Sequence, residues 1–64
     1  MPTVQFSDVE PGTRLSLAGG VFLVTGKEVD GDSCNLTGEY TTPDGAVFPQ
    51  TFYGLVLSEA NLAE

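Results

Sequence analysis

The sequence predicts an all-β domain, either a small curled antiparallel sheet or an SH3-like barrel of about five short strands. Three observations carry this prediction. Apolar residues flank a diglycine in LSLAGGVFLV (15–24), residues 33–40 alternate between apolar and polar, and glycine-containing turns recur along the chain. SH3-like closure is preferred over an OB-type barrel, which usually needs a longer chain. A chain of 64 residues has room for one domain, residues 1–64.

The diglycine at 19–20 predicts a tight hairpin, because two-residue hairpin loops favour residues that tolerate positive φ. With that loop, Leu17 faces Phe22 and Leu15 faces Val24, so these side chains share one apolar face. A three-residue loop would shift the pairing by one residue. In both cases the second strand is apolar on both sides, as expected for a central, curved strand. The expected core of the domain is Leu15, Leu17, Phe22, Val24, Leu36 and Leu55.

Turns separate this hairpin from its neighbours. DVEPGT (8–13) reads as a turn because Pro11 fixes φ and the following glycine adds freedom. GKEVDGDS (26–33) is expected to be a polar turn region. SCNLTGEY (33–40) follows with a period of two, which predicts a half-buried strand. Its apolar side holds Cys34, Leu36 and Tyr40.

The C-terminal third predicts two more strands. After a turn at TPDG (42–45), AVFPQTFYG (46–54) reads as a fourth strand. Pro49 cannot donate to a strand ladder, so this strand should lie at a sheet edge or contain a bulge. LVL (55–57) is expected to form a short fifth strand. SEANLAE (58–64) could close the chain with one helical turn capped by its serine.

The composition argues against catalysis and metal binding. The chain has no histidine and one cysteine, so neither a serine nor Cys34 has a base to activate it, and a zinc site is nearly excluded. Cys34 is expected to be a buried structural thiol beside Leu36. DGDSCN (30–35) is similar to the start of a calcium loop but lacks its sixth-position glycine and has Thr41 at the twelfth. We therefore expect no enzyme activity, no metal and no cofactor.

Net charge limits the partners. The formal charge is −7, and the only basic residues are Arg14 and Lys27. Phosphate backbones are bound by lysine and arginine, so direct nucleic-acid binding is not expected. No apolar run approaches the roughly 20 residues of a membrane span. The opening MPTVQFSDVE lacks the pattern of an export signal, so a cytoplasmic location is expected, in keeping with an unpaired cysteine.

Two groups of side chains are candidates for contacting a partner. Three carboxylates fall within five residues of one turn, where they would steer a basic partner. Aromatic residues fall on both sides of the fourth strand, so one face could remain exposed as a contact patch. The candidate contact residues are Glu28, Asp30, Asp32, Phe48, Phe52 and Tyr53.

The chain resembles a group of short proteins encoded by bacteriophages and prophages. FSDVEPGTRLSLAGGVFLVTG (6–26) is similar to their opening, Phe-x-Asp-apolar-x-x-Gly followed by two apolar strands around a glycine turn. CNLTGEYTTPDGAVF (34–48) is similar to their later segment. Many members end the second strand with aromatic-x-Lys, whereas this chain has FLVT. The resemblance implies a small phage accessory domain with no assigned activity, often acting by binding another protein.

These observations support two hypotheses about function. The leading hypothesis is a non-catalytic, acidic protein-binding module of phage type that binds or inhibits a host protein. In a special form of it, the carboxylates mimic nucleic-acid charge and the partner is a basic or nucleic-acid-binding protein. The alternative is a small structural or oligomerising component of a virion or complex, in which copies associate through exposed strand edges.

Overall fold

The computed structural model describes residues 2–63, which form one antiparallel sheet of six strands. The strand order is β1-β6-β2-β3-β4-β5. One 3-10 turn, Phe6–Asp8, follows β1. The all-β prediction is confirmed, with one strand more than expected. The strands are β1 (Thr3–Gln5), β2 (Arg14–Leu17), β3 (Gly20–Asp30), β4 (Ser33–Thr41), β5 (Val47–Leu55) and β6 (Glu59–Leu62).

The sheet is curled but open, so the preferred SH3-like closure is wrong. β1 and β5 are its two edges, and within residues 2–63 they do not pair with each other. The 3-10 turn joins the two sides at one end: the Phe6 ring lies against Gly54 of β5, and the Ser7 N–H donates to the Val56 carbonyl. β1 has only three residues, too few for a ladder along the nine-residue β5.

The first hairpin turns one residue earlier than expected. Its loop is Ala18-Gly19, with φ of 49° and 83°, and Leu17 pairs with Gly20. Two positive φ angles are what a type I′ turn requires. Both predicted registers are therefore wrong, because Gly20 serves packing instead of the turn. A Cβ on Gly20 would lie 2.3 Å from the carbonyl oxygen of Thr41.

The predicted apolar face of this hairpin is nevertheless confirmed. Leu15 pairs with Phe22 instead of Val24, a shift of two residues. Because side chains alternate with period two, a shift of two leaves each one on the face assigned to it. Leu15, Phe22 and Val24 are fully buried and Leu17 is half-buried.

The polar segment 26–33 is mostly strand, which corrects the expected turn region. β3 runs to Asp30 and a two-residue loop, Gly31-Asp32, leads directly into β4. Gly31 has a φ of 61° at the first loop position. Thr25 is bulged out of the ladder, where the pairing shifts between Val24 and Gly26. The segment reads as polar because most of its side chains are solvent-exposed on both faces of this end of the sheet.

β4 and β5 agree with the sequence pattern. Cys34 and Leu36 are fully buried and Asn35 between them is not, as the alternation predicts. β5 lies at the edge of the sheet, as Pro49 predicts.

The C-terminal segment differs from its prediction. Leu55 ends β5 and residues 56–57 form a turn, so LVL is not a separate strand. Glu59–Leu62 forms β6 between β1 and β2 in place of the expected helical turn, whose last residue lies outside the described chain. Ser58 does cap a turn: its hydroxyl accepts the Leu55 N–H at 3.0 Å.

The core is small and lies on the concave face of the sheet. Phe22 contacts Phe52 edge to face, with ring centroids 4.7 Å apart. Leu55, expected in the core, is 57% exposed because it points to the opposite face. The buried residues are Val9, Leu15, Phe22, Val24, Cys34, Leu36 and Ala60.

The buried thiol gives a first prediction. Cys34 has no exposed surface, so a thiol reagent reaches it only when the sheet opens. For a domain of this size, we expect native labelling to be at least about a hundredfold slower than labelling in urea. Absorbance of a chromogenic disulfide reagent measures both rates. Equal rates would mean that Cys34 faces solvent.

Candidate functional site

The candidate site lies on the outer face of the sheet, the face opposite the core. Cys34 and Leu36 point into the core, so Asn35 between them points outward. Antiparallel pairing places Glu28 on one side of Asn35 and Tyr53 on the other. Directly opposed residues of neighbouring strands share a face and lie about 5 Å apart. The three side chains therefore form one row across β3, β4 and β5.

A second row extends this surface toward the β3–β4 loop. Asp30 pairs with Ser33, and Ser33 pairs with Leu55. Tyr53 is 80% exposed, and a shallow depression runs between the two rows. We call this surface the acidic–aromatic patch. Its members are Glu28, Asp30, Ser33, Asn35, Tyr53 and Leu55.

The basic residues lie away from the patch. Lys27 is next to Glu28 in sequence but points to the other side of the sheet, where its ammonium donates to the Ser7 carbonyl at 2.8 Å. Arg14 is on the outer face but lies beside Glu39 and Leu23, further along the sheet. The carboxylates of Glu28 and Asp30 thus face solvent on a part of the sheet where neither basic residue lies. A cation approaching this face is attracted by both of them.

The third predicted carboxylate, Asp32, lies at the tip and not on the patch. It occupies the second position of the β3–β4 loop. Its backbone carbonyl accepts the Val56 N–H at 2.9 Å, and its neighbours there include Leu55 and Leu57. This hydrogen bond ties the loop to the segment that follows β5, so Asp32 has a structural contact in addition to its charge.

The three predicted aromatic residues fall on two faces. Phe52 packs on Phe22 at the edge of the core, and Phe48 packs on Tyr40 with ring centroids 5.7 Å apart. Both lie on the concave side, whereas Tyr53 lies on the outer face. The structure therefore brings Tyr53 together with Glu28 and Asp30, and separates it from the two phenylalanines.

Asn35 and Leu55 belong to the patch, although neither is among the contact residues that the sequence predicts. Asn35 sits between Glu28 and Tyr53, and Leu55 borders it with 57% exposure. Asp30-Gly31 is a hairpin signal when the flanking residues alternate, but a two-residue loop there would pair Glu28 with Ser33. The observed loop, Gly31-Asp32, lies one residue later and pairs Glu28 with Asn35. The signal therefore predicts the face on which Asn35 lies, but not its partner.

The described chain offers neither a metal cluster nor a membrane-spanning helix. Within residues 2–63, no three side chains of histidine, cysteine, aspartate or glutamate are grouped to hold a metal ion. Over the same residues, no helix has the length and apolar character needed to cross a bilayer. Comparisons with protein-family models, curated proteins and solved structures found no match to this chain.

Proposed function

We propose that the protein is a non-catalytic protein-binding module that docks a basic partner on the acidic–aromatic patch. The observation that supports this is the row formed by Glu28, Asn35 and Tyr53, which sets an exposed ring and a carboxylate on either side of an asparagine on one open sheet face. Tyrosine is enriched in protein interfaces because it combines a large apolar surface with a polar end.

Arginine is the side chain that this surface fits best. A guanidinium stacks on the face of an exposed aromatic ring and pairs with a carboxylate in a forked geometry. Tyr53 on β5 and the carboxylates of Glu28 and Asp30 on β3 line the same depression, so both contacts are offered on one face. The net charge of −7 adds a long-range attraction that raises the association rate and weakens with salt.

The wider role that we propose is that of a phage-type accessory protein acting on a host protein. The resemblance in residues 6–26 and 34–48 supports the origin, and the acidity supports a basic partner. A partner surface that otherwise holds nucleic acid has the required positive charge, so the protein would then compete with nucleic acid for it. We infer a cytoplasmic site of action, where such host proteins are found.

The patch gives a second prediction. Glu28→Gln combined with Asp30→Asn should weaken binding of a synthetic arginine-rich peptide about five- to thirtyfold at low salt, because two surface ion pairs are lost. The matched control, Glu10→Gln with Asp44→Asn, removes the same charge from exposed turns elsewhere. Titration of the ¹⁵N-labelled protein followed by NMR gives the affinity and maps the site, which should include the amides of Asn35 and Tyr53.

Two outcomes of this titration would contradict binding at the acidic–aromatic patch. If both double variants weaken binding equally, the peptide responds to net charge alone. If the shifted amides cluster around Phe48 instead, the partner contacts the concave side.

Capture from a bacterial lysate extends the test to natural partners. Proteins that wild type and the control variant retain, but the patch variant does not, are the expected partners. Added duplex DNA should displace those partners if charge mimicry operates, and should leave them bound if it does not.

A further inference from the structure

The edge strand β5 lies in the longest uncharged stretch of an acidic protein. Residues 45–57, GAVFPQTFYGLVL, contain no Asp, Glu, Lys or Arg, although the whole chain has eleven such residues. Five of the eight large hydrophobic side chains exposed within residues 2–63 belong to this segment. They are Val47, Phe48, Tyr53, Leu55 and Leu57. Exposed edge strands are usually protected by charged side chains, and β5 has none.

The direction of the β5 backbone groups follows from its connection to β4. The Thr42 N–H donates to the Ala46 carbonyl at 2.8 Å, so this pair is hydrogen-bonded and the next pair, Thr41 with Val47, is not. Alternation then turns the N–H and C=O groups of the odd-numbered β5 residues away from β4. Leu55 agrees, because its N–H and C=O both bond to Ser58, outside the ladder.

The free part of this edge is short and has defined ends. Pro49 has no N–H, and Leu55 is occupied by Ser58. Between them, the outward N–H and C=O groups of Thr51 and Tyr53 have no hydrogen-bond partner within residues 2–63. The edge therefore offers two donors and two acceptors in one window.

We propose that a second copy of this chain pairs with this window, β5 against β5, antiparallel about Phe52. Thr51 of each copy then lies opposite Tyr53 of the other, and their four N–H and C=O groups form four hydrogen bonds. Pro49 lies opposite Leu55 of the second copy, so neither position leaves a donor unpaired. A register centred on Thr51 would set Pro49 opposite Tyr53, and the Tyr53 carbonyl of each copy would then lack a donor because proline has no N–H.

A second copy suits the edge better than a basic peptide does. β5 carries no acid for a basic residue to pair with, whereas a second copy brings an equally uncharged strand, with Tyr53 opposite Thr51 and Leu55 opposite Pro49. The patch acids nearest the axis, Glu28 and Asp30, are on β3, two strands away. At about 4.8 Å per strand, β3 of one copy is about 24 Å from β3 of the other, beyond the Debye length at physiological salt.

Self-association of this kind goes beyond the proposed function and does not obstruct it. The twofold axis of an antiparallel edge pairing is perpendicular to the sheet. Both outer faces therefore point the same way, and the dimer presents two acidic–aromatic patches side by side. A partner with two basic sites would bind such a dimer with increased avidity.

Thr51→Pro tests the proposal. It removes an outward N–H and leaves the bonds to β4 intact, so we expect at least a tenfold increase in the dimer dissociation constant. The matched control is Thr3→Pro at the opposite edge. The Leu62 N–H donates to Pro2 and the Phe6 N–H to Ser58, so Thr3 between them also turns its N–H outward. Thr3→Pro should dimerise as wild type does.

Sedimentation equilibrium at about 50 mM and about 500 mM NaCl gives the decisive measurement. Copies of charge −7 repel, so the dimer should be tighter at high salt. Binding of a basic partner has the opposite salt dependence, so the two proposals can fail separately. If Thr51→Pro does not give a folded NMR spectrum, Thr51→Glu, compared with Thr3→Glu, introduces like charges at the axis instead. A wild type that stays monomeric at high salt, or a folded position-51 variant that dimerises as tightly as its control, would overturn the proposal.

Discussion

Replacing Gly38 with alanine should unfold a large fraction of the protein. A Cβ at this position would lie 1.9 Å from the Leu23 carbonyl oxygen and 3.1 Å from the Val24 Cα. Both atoms belong to the backbone of β3, so no side-chain rotation relieves the overlap. Forcing the strands apart costs about 3 kcal/mol, and a domain of this size has a total stability of about 3–5 kcal/mol.

Gly26→Ala is the matched control for this prediction. Gly26 lies in the same strand pair, no atom comes within 4 Å of its Cβ position, and its φ is not positive. Alanine there should leave stability unchanged or raise it by up to about 1 kcal/mol, because it restricts the unfolded chain. Urea unfolding followed by circular dichroism compares the two variants. Equal midpoints would mean that β3 and β4 are not packed as closely at Gly38 as the structure has them.

The glycines explain one limit of sequence reading. Gly19, Gly20 and Gly38 look alike in a sequence, yet Gly19 supplies a positive φ whereas Gly20 and Gly38 allow close approach of another strand. Sequence rules for two-residue turns predict where a positive φ is needed, and here they place the hairpin loop within one residue of its observed position. The packing role depends on a strand distant in sequence, so local rules do not predict it. The alternation of side chains along a strand nevertheless predicts the correct buried face.

The terminal strands show a second limit. β1 has three residues and β6 has four, too few for an alternating pattern to stand out. Both form by pairing with partners far along the chain: β1 pairs with β6, and β6 also pairs with β2. Such pairing is decided by the whole sheet, so the sequence beginning at Ser58 predicts a helical turn where the structure has a strand.

The sequence predicts that carboxylates belong to the candidate site. It does not predict which of them share a face, or which other side chains lie beside them. Glu28, Asp30 and Asp32 were grouped because they are neighbours in sequence, yet only the first two share the outer face with Tyr53. Consecutive strand residues point to opposite faces, so the sequence already separates Tyr53 from Phe52, but it does not show which face of the strand stays exposed. The patch became visible only when the register of three strands was known.

Phe22→Ala should be the most destabilising truncation in the core. Phe22 is fully buried in the central strand β3 and its ring meets Phe52 edge to face at 4.7 Å. Removing a buried phenylalanine ring costs about 3–5 kcal/mol, which is comparable with the whole stability of such a domain. We expect loss of the dispersed amide NMR spectrum at room temperature. Phe22→Leu keeps most of the volume and should cost about 1–2 kcal/mol.

Phe48→Ala is the comparison for Phe22→Ala, because Phe48 is one of the candidate contact residues. Phe48 is 41% exposed and contacts Tyr40 at the rim, so its loss should cost about 1 kcal/mol and leave the protein folded. A much larger loss of stability in Phe22→Ala than in Phe48→Ala would place Phe52 in the core, because the Phe52 ring packs against the ring of Phe22. A folded Phe22→Ala variant with a midpoint near that of Phe48→Ala would contradict this. Phe52 would then be available to a partner, and the concave side would compete with the acidic–aromatic patch as the binding surface.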